Sequence, residues 1–159
     1  MWLGYLNMCM PKGMNDPIDY EALKGRDCYA GLDLSSTSDI TAFVLVFPPR
    51  HSEENHIILP FFWLPKDTLE LRCRRDHVLY DVWERQGYIK TTEGNVVHYG
   101  FIESFIEQLS ETYHIKEIAY DRWNATQMVQ NLEGMGLDRC IRHQGDEASV
   151  YDERGILSF

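Results

Sequence analysis

The chain begins with a segment that shows little hydrophobic periodicity, and three apolar runs follow it. These runs lie at residues 29–34, 40–47 and 56–64 and are separated by polar or proline-containing turns, and the second run is rich in β-branched and aromatic residues. Such runs are typical of buried strands. Pro60 in the third run indicates an edge position or a bulge, because proline has no N–H to donate to a neighbouring strand. Together the runs predict an antiparallel meander.

From residue 66 onward, apolar residues recur at the spacing of helices. Residues 66–86 predict a helix that is broken near its middle, and residues 101–113 predict an amphipathic helix. Their apolar faces comprise Val78, Leu79, Val82 and Trp83 in the first helix, and Phe101, Ile102, Phe105, Ile106 and Leu109 in the second. The intervening residues 88–95 predict a turn region.

A strand, a helix and a last strand complete the pattern. Residues 115–120 and 137–143 predict the two strands. Between them, Asn124 and Gln127 have the spacing of a capping box, which predicts a helix start. The apolar face of this helix comprises Met128, Val129 and Leu132. The order of elements predicts an α/β fold, in which a mixed sheet carries flanking helices.

Composition restricts the class of protein. The chain has 159 residues, enough for one domain with a sizeable core, and 44% hydrophobic residues argue against disorder. No apolar run approaches the roughly 20 residues of a transmembrane helix, and no signal peptide is visible, so we expect no membrane association. The four cysteines include no CxxC pair, which favours a reduced, cytoplasmic protein.

The chain is acidic, with a formal net charge of −10. Nucleic-acid-binding domains are usually basic, because phosphate contacts dominate their affinity. The charge therefore argues against a free-standing DNA-binding domain. It is compatible with a nuclease core, since bound cations offset metal-binding carboxylates. No P-loop, GxSxG or GxGxxG sequence occurs.

Two carboxylates lie at the ends of predicted strands. Asp33 is the penultimate residue of the first apolar run, and Asp121 directly follows residues 115–120. Carboxylates on rigid strand ends can hold paired divalent cations for phosphodiester hydrolysis. The alternative is that each aspartate forms a turn or caps a helix. Asp39, at the start of the second strand, has three open roles: metal ligand, group that orients a ligand, or turn residue.

A small basic cluster lies in the first predicted helix. It consists of Arg72, Arg74 and Arg75, and Arg122 lies directly after Asp121. These side chains have the chemistry to contact a DNA backbone. For the cluster, the pattern favours a solvated helix face.

Six short segments follow one another along the chain, and the ordered set is a more specific signal than any single segment. They are CYAGLDLS at 28–35, DITA at 39–42, FWLP at 62–65, YDVWERQGYI at 80–89, TEG at 92–94 and AYDRWNA at 119–125. In this order they resemble the large terminase subunit of tailed bacteriophages. The resemblance runs over residues 26–145.

This resemblance implies the family's C-terminal nuclease domain, with an RNase H-like fold. In the family, this domain cuts concatemeric viral DNA during genome packaging with two divalent ions, Mg²⁺ or Mn²⁺. Asp33 corresponds to the metal ligand on the first strand and Asp121 to the ligand after the fourth. Asp39 corresponds to a recurrent acid of the first hairpin. We therefore expect an endonuclease in the host cytoplasm.

The resemblance also implies boundaries and partners. We expect an N-terminal arm or linker at 1–26, the nuclease domain at 27–145 and a divergent tail at 146–159. The sequence lacks the family's packaging ATPase domain, so we expect no DNA translocation. Double-stranded DNA, bound weakly by this chain alone, the ATPase domain, the small terminase subunit and the portal are the implied partners. The family's third metal-binding carboxylate has no counterpart before the tail. The acids of the tail that are candidates for this role are Asp146, Glu147, Asp152 and Glu153.

Two other functions stay open. A truncated prophage remnant would keep the fold as a non-catalytic interaction module, and the missing third acid and the acidic charge favour this hypothesis. An actin-like phosphotransfer domain also carries an acid and small hydroxyl residues in its first hairpin. The sequence lacks the second glycine-rich phosphate loop that such a domain needs.

Overall fold

The computed structural model of the chain describes residues 18–35, 39–52, 54–120, 125–137 and 141–143. In chain order the elements of these residues are α1 (Tyr20–Leu23), β1 (Asp27–Asp33), β2 (Thr41–Phe47), β3 (Ile57–Pro65), a 3-10 turn (Lys66–Thr68), α2 (Leu69–Asp76), α3 (Tyr80–Arg85), β4 (Lys90–Thr92), α4 (Tyr99–Thr112), β5 (His114–Tyr120), α5 (Thr126–Leu132), a π-helical turn (Glu133–Leu137) and β6 (Ile141–His143). None of the helices among them combines the length and apolar character needed to cross a bilayer.

The strands described form one mixed sheet in the order β4-β3-β2-β1-β5-β6. β2 runs antiparallel to β1 and to β3, and the other neighbouring strands pair in parallel. The predicted meander of three antiparallel strands is therefore confirmed, as is the mixed sheet with flanking helices. β1 lies inside the sheet, between its antiparallel and parallel neighbours.

Alternation along β2 determines which face of the sheet is covered. Phe43, Leu45 and Phe47 are fully buried, whereas the residues between them are partly exposed. The same core contains Ile102 of α4 and Met128 of α5, which are also fully buried. Burial of each such side chain contributes about 1.5–3 kcal/mol. The core therefore joins one face of the sheet to α4 and α5.

The parallel pairing of β1 with β5 contains a bulge. Cys28 pairs with Ile115 but Tyr29 pairs with Glu117, so Lys116 is an extra residue in β5. The bulge explains why Ile115 and Ile118, three residues apart, are both buried, although strict alternation would turn them to opposite faces.

A second, smaller core lies under α2 and α3. Its buried residues are Leu64, Leu69, Tyr80 and Ile89, and Ile40 packs against it from the start of β2. The predicted break in the helix is confirmed, because His77 adopts a left-handed conformation with φ of 56° and ends α2. Leu79 was predicted on the apolar face but is 64% exposed. It precedes α3 as the N-cap residue, so helical periodicity does not apply to it.

Further local features differ from the sequence prediction, among them Phe101, which was predicted on the apolar face of its helix but is 62% exposed. β4 lies in the predicted turn region, and its polar sequence and three-residue length carry no hydrophobic period. Pro60 pairs with Val44 of β2 on one side, and on its other side the only described neighbour, β4, pairs with β3 over residues 63–65 alone, which agrees with the predicted edge position. The helix α5 has Ala125 at its N-cap and no side-chain cap, while Asn124 lies outside the described residues.

Within the predicted N-terminal arm, α1 is a short helix whose Leu23 is buried in the main core. The remaining domain boundaries stay predictions, since residues 1–17 and 144–159 lie outside the described part of the chain.

A buried polar contact joins α4 to α5. Asn131 Nδ2 donates to Glu103 Oε1 at 2.9 Å, and Glu103 is buried although it carries an ionisable group. On the exposed side, Gln127 Nε2 donates to Asn131 Oδ1 at 3.0 Å. A buried carboxyl group needs such a partner, because leaving it without one costs free energy.

We expect Asn131→Ala to lower the free energy of unfolding by about 1–3 kcal/mol, because it removes the amide donor from a buried acceptor. Gln127→Ala is the matched control on the same helix and should change it by less than about 0.5 kcal/mol. Urea denaturation measures both. Equal losses in the two variants would contradict the role given to the contact with Glu103.

Candidate metal centre

Asp33 is the last residue of β1 and is exposed on the face of the sheet opposite the main core. Asp33 pairs with Ala42 of β2, and the residue before it, Leu32, pairs with Tyr120 at the end of β5. Because β1 and β5 are parallel, both strands finish at the same edge of the sheet. Asp121, the next residue of the chain, lies outside the described residues.

The surface beside Asp33 is concave and formed mainly by small side chains. A depression of about 340 Å³ is lined by Gly31, Leu32, Asp33, Ala42, Val44, Ala119 and Tyr120. A Cβ atom added at Gly31 would meet nothing within 4 Å. The glycine therefore leaves open space beside the carboxylate instead of serving close packing.

The connection from β1 to β2 is held by a hydroxyl group. Thr41, at the start of β2, has an exposed fraction of 0%. Its Oγ1 donates to the Ser35 carbonyl oxygen at 2.7 Å and accepts from the Ser35 N–H at 3.0 Å. The Asp39 N–H in turn donates to Ser35 Oγ at 2.9 Å. The two described ends of this connection are thus tied to each other and to β2.

Arg72 approaches the same connection from α2. Its Nη1 donates to the Asp39 carbonyl oxygen at 3.4 Å, and its Nε donates to Thr68 Oγ1 at 3.3 Å. Arg72 is only 3% exposed, so its predicted place on a solvated helix face is wrong. The side chains of Arg74 and Arg75 are 81% and 55% exposed and form ion pairs at the surface.

Burial shapes the electrostatics of Arg72. Desolvation lowers the pKa of its guanidinium, and the nearby positive charge of Arg75 lowers it further. The opposing influences that raise it come from Tyr80, Asp76 and Asp39. An arginine remains protonated in proteins even so. A buried positive charge therefore lies within electrostatic range of Asp39.

The donors of the predicted centre are partly within the described residues. Asp33 and Asp39 lie within the described residues, whereas Asp121, Arg122 and the acids of the tail lie outside them. In the described part of the chain, no three His, Cys, Asp or Glu residues come together as a metal site. Carboxylate oxygen beside an open depression is a donor that suits Mg²⁺ or Mn²⁺. Asp33 therefore supplies one donor of the right chemistry, and the predicted set depends on Asp121.

Sequence reasoning did not identify Thr41 and missed the part played by Arg72. A signal existed for Arg72, since it lies three residues after the buried Leu69 and so on the inner side of α2. For Thr41 the only sign was a β-branched residue with a hydroxyl group at the start of a strand. That sign is common and indicates no particular contact.

The family model for the endonuclease domain of the terminase large subunit matches residues 11–150. The chain belongs to this family. It is 38% identical over 112 residues to the terminase large subunit of Enterobacteria phage HK97, a match that covers 70% of this chain and 22% of the relative. The crystal structure of the HK97 bacteriophage large terminase superposes with a TM-score of 0.67 at 31% identity, covering 92% of this chain and 29% of that one.

The structural match confirms the RNase H-like α/β fold. The chain spans less than a third of the length of the HK97 proteins it matches. Nuclease domains of terminases generally depend on divalent metals. Because the chain spans so little of the HK97 proteins, the activity and partners of the whole relatives are proposals for this chain.

We expect Gly31→Ala to fold normally and to raise the free energy of unfolding by about 0.5–1 kcal/mol, because a strand glycine costs conformational entropy and the added methyl meets no atom. The contrasting variant is Gly136→Ala, whose φ of +89° strains any other residue, so it should destabilise the fold. Thermal or urea unfolding compares the two. A large loss of stability in Gly31→Ala would contradict the open space described beside Asp33.

Proposed function

We propose that the chain is the metal-dependent DNA endonuclease domain of a phage terminase large subunit, acting on concatemeric viral DNA during genome packaging. The observation that carries the proposal is the parallel register of Leu32 with Tyr120. Asp33 ends β1 at this edge, and in the sequence Asp121 directly follows Tyr120. Family membership supplies the expected reaction, phosphodiester hydrolysis.

Asp33 and Asp121 would hold the metal ions, and Asp39 is a further candidate ligand. Two Mg²⁺ or Mn²⁺ ions, when bound, supply an activated water and stabilise the leaving oxygen. The residues of the chain have three tasks. Carboxylates at strand ends keep the ligands at a fixed separation. The small residues of the depression leave room for a sugar–phosphate backbone, and the apolar strand residues hold the edge rigid.

The acidic charge of the chain is consistent with this role but limits it. Without bound cations the edge repels phosphate, and with them the local charge is offset. We therefore expect double-stranded DNA to bind weakly to this chain alone. Tighter binding in packaging would come from the partners of the family: the ATPase domain, the small terminase subunit and the portal. The proposed location is the cytoplasm of the bacterial host.

A non-catalytic module that keeps the fold is the second candidate function. The observation in its favour is the acidic formal net charge of −10, which does not suit a chain that must bind DNA phosphates. A third carboxylate from the tail, where Asp146, Glu147, Asp152 and Glu153 lie, would complete the nuclease. Family membership favours either of these over an actin-like phosphotransfer domain.

We expect the chain to bind Mn²⁺ and to lose most of that affinity in Asp33→Ala and in Asp121→Asn, because each removes a carboxylate ligand. Isothermal titration with Mn²⁺ measures the affinity. Asp27→Ala is the matched control, since Asp27 begins the same strand at its opposite end and pairs there with His114 and Lys116 at the surface. Mn²⁺ affinity that is unchanged in Asp121→Asn would show that the ligand assignment is wrong.

We expect Mn²⁺-dependent cleavage of plasmid DNA by the wild type, at least a hundredfold slower in Asp33→Ala, on the order of the loss seen for a principal catalytic electrostatic group. The sites of cleavage should show little sequence preference, because the chain has no recognisable base-reading element. Sequencing of the cut ends measures the preference. Binding of Mn²⁺ without any cleavage would instead favour the non-catalytic module.

A further inference from the structure

Arg72 is unusual among the described basic residues because it is both buried and directed at the connection that carries Asp39. Its guanidinium reaches the Asp39 carbonyl oxygen with one nitrogen and Thr68 Oγ1 with another. Thr68 Oγ1 donates onward to the Pro65 carbonyl oxygen at 3.2 Å. A chain of hydrogen bonds therefore links the end of β3, through α2, to the residue after the first hairpin loop.

Packing reinforces this chain of hydrogen bonds. Ile40, the neighbour of Asp39, packs against the core under α2 and α3. On the other side of Asp39, its own N–H is held by Ser35 Oγ. The backbone around Asp39 is therefore fixed from both directions, by the α2–α3 lobe (residues 69–85) and by Ser35, two residues beyond β1.

Thr41 completes the arrangement from the sheet. One buried hydroxyl group satisfies both the N–H and the carbonyl oxygen of Ser35, two residues after Asp33. A side chain without a hydroxyl group could not do this. The same local contacts thus determine where the chain goes after Asp33 and how it returns at Asp39.

We propose that Arg72 and Thr41 are positioning residues that orient Asp33 and Asp39 for divalent metal binding. They act through the backbone of residues 35 and 39 and do not themselves contact the ion. The inference rests on the proposed function. It also assigns a task to the α2–α3 lobe, which supports the metal edge through Arg72.

Two variants of Arg72 separate an effect of its charge from an effect of its position. A buried positive charge near a cation site repels the ion, so an effect of charge only would make the neutral Arg72→Met variant bind Mn²⁺ more tightly. A positioning effect instead predicts weaker Mn²⁺ binding in Arg72→Lys, although this variant keeps the positive charge. Lysine keeps the charge but cannot present two donors in the fixed fork of a guanidinium.

The test compares Arg72→Lys and Thr41→Val with wild type by two readouts. Isothermal titration should give roughly tenfold weaker Mn²⁺ binding for each, as for other residues that orient metal ligands. Amide hydrogen exchange of the metal-free protein should be faster at Asp39 in Arg72→Lys and at Ser35 in Thr41→Val. Thr41→Ser should restore both values, because it returns the hydroxyl group.

Arg74→Lys is the matched control, since Arg74 lies on the same helix with its side chain in solvent. It should leave both readouts at the wild-type values. If Thr41→Val does not fold, Arg72→Lys decides alone.

The outcomes separate the two proposals. Wild-type Mn²⁺ affinity in Arg72→Lys, together with lost affinity in Asp33→Ala, would overturn the positioning role and leave the proposed function intact. Tighter binding in Arg72→Met with unchanged Arg72→Lys would also overturn it. Absence of Asp33-dependent Mn²⁺ binding in the wild type would overturn the proposed function and the positioning role together.

Discussion

Parallel pairing between β1 and β5 is the contact on which the candidate site depends. The two strands are far apart in sequence, and the chain between them builds the rest of the meander, the α2–α3 lobe and α4. Their pairing makes two strand ends coincide, so that Leu32 and Tyr120 lie side by side at one edge of the sheet. Burial of one face against α4 and α5 keeps that pairing in register, because a slip by one residue would turn every buried side chain to the opposite face.

Much of this arrangement was predictable from local pattern. The apolar runs identified β1, β2, β3 and β5, since buried strands have a strong compositional signal. The same runs led to Asp33, because an acid directly after such a run is conspicuous. β4 could not be found this way: its three polar residues pair with the end of β3, and only the tertiary structure makes them a strand.

The contacts around Asp39 were beyond sequence reasoning for a different reason. Arg72 is charged, and charged residues are almost never fully buried unless they are paired, so a solvated position was the reasonable prediction. Its partners include one that is distant in sequence, the Asp39 carbonyl oxygen, besides the nearby Thr68 Oγ1. A contact of that kind leaves no hydrophobic period and no compositional signal in the sequence. The spacing from the buried Leu69 indicates the inner side of α2, but which backbone atom Arg72 contacts there follows from how α2 packs beside the sheet.

The bulge in β5 has a consequence for how this sheet tolerates change in length. With Lys116 as an extra residue, the strand has two phases of alternation, one on each side of that position. Deletion of Lys116 would remove the bulge and leave the residues on both sides of it in register with β1. Deletion of a residue between 117 and 120 would instead bring a different residue type to the end of the strand, so it should be far more harmful.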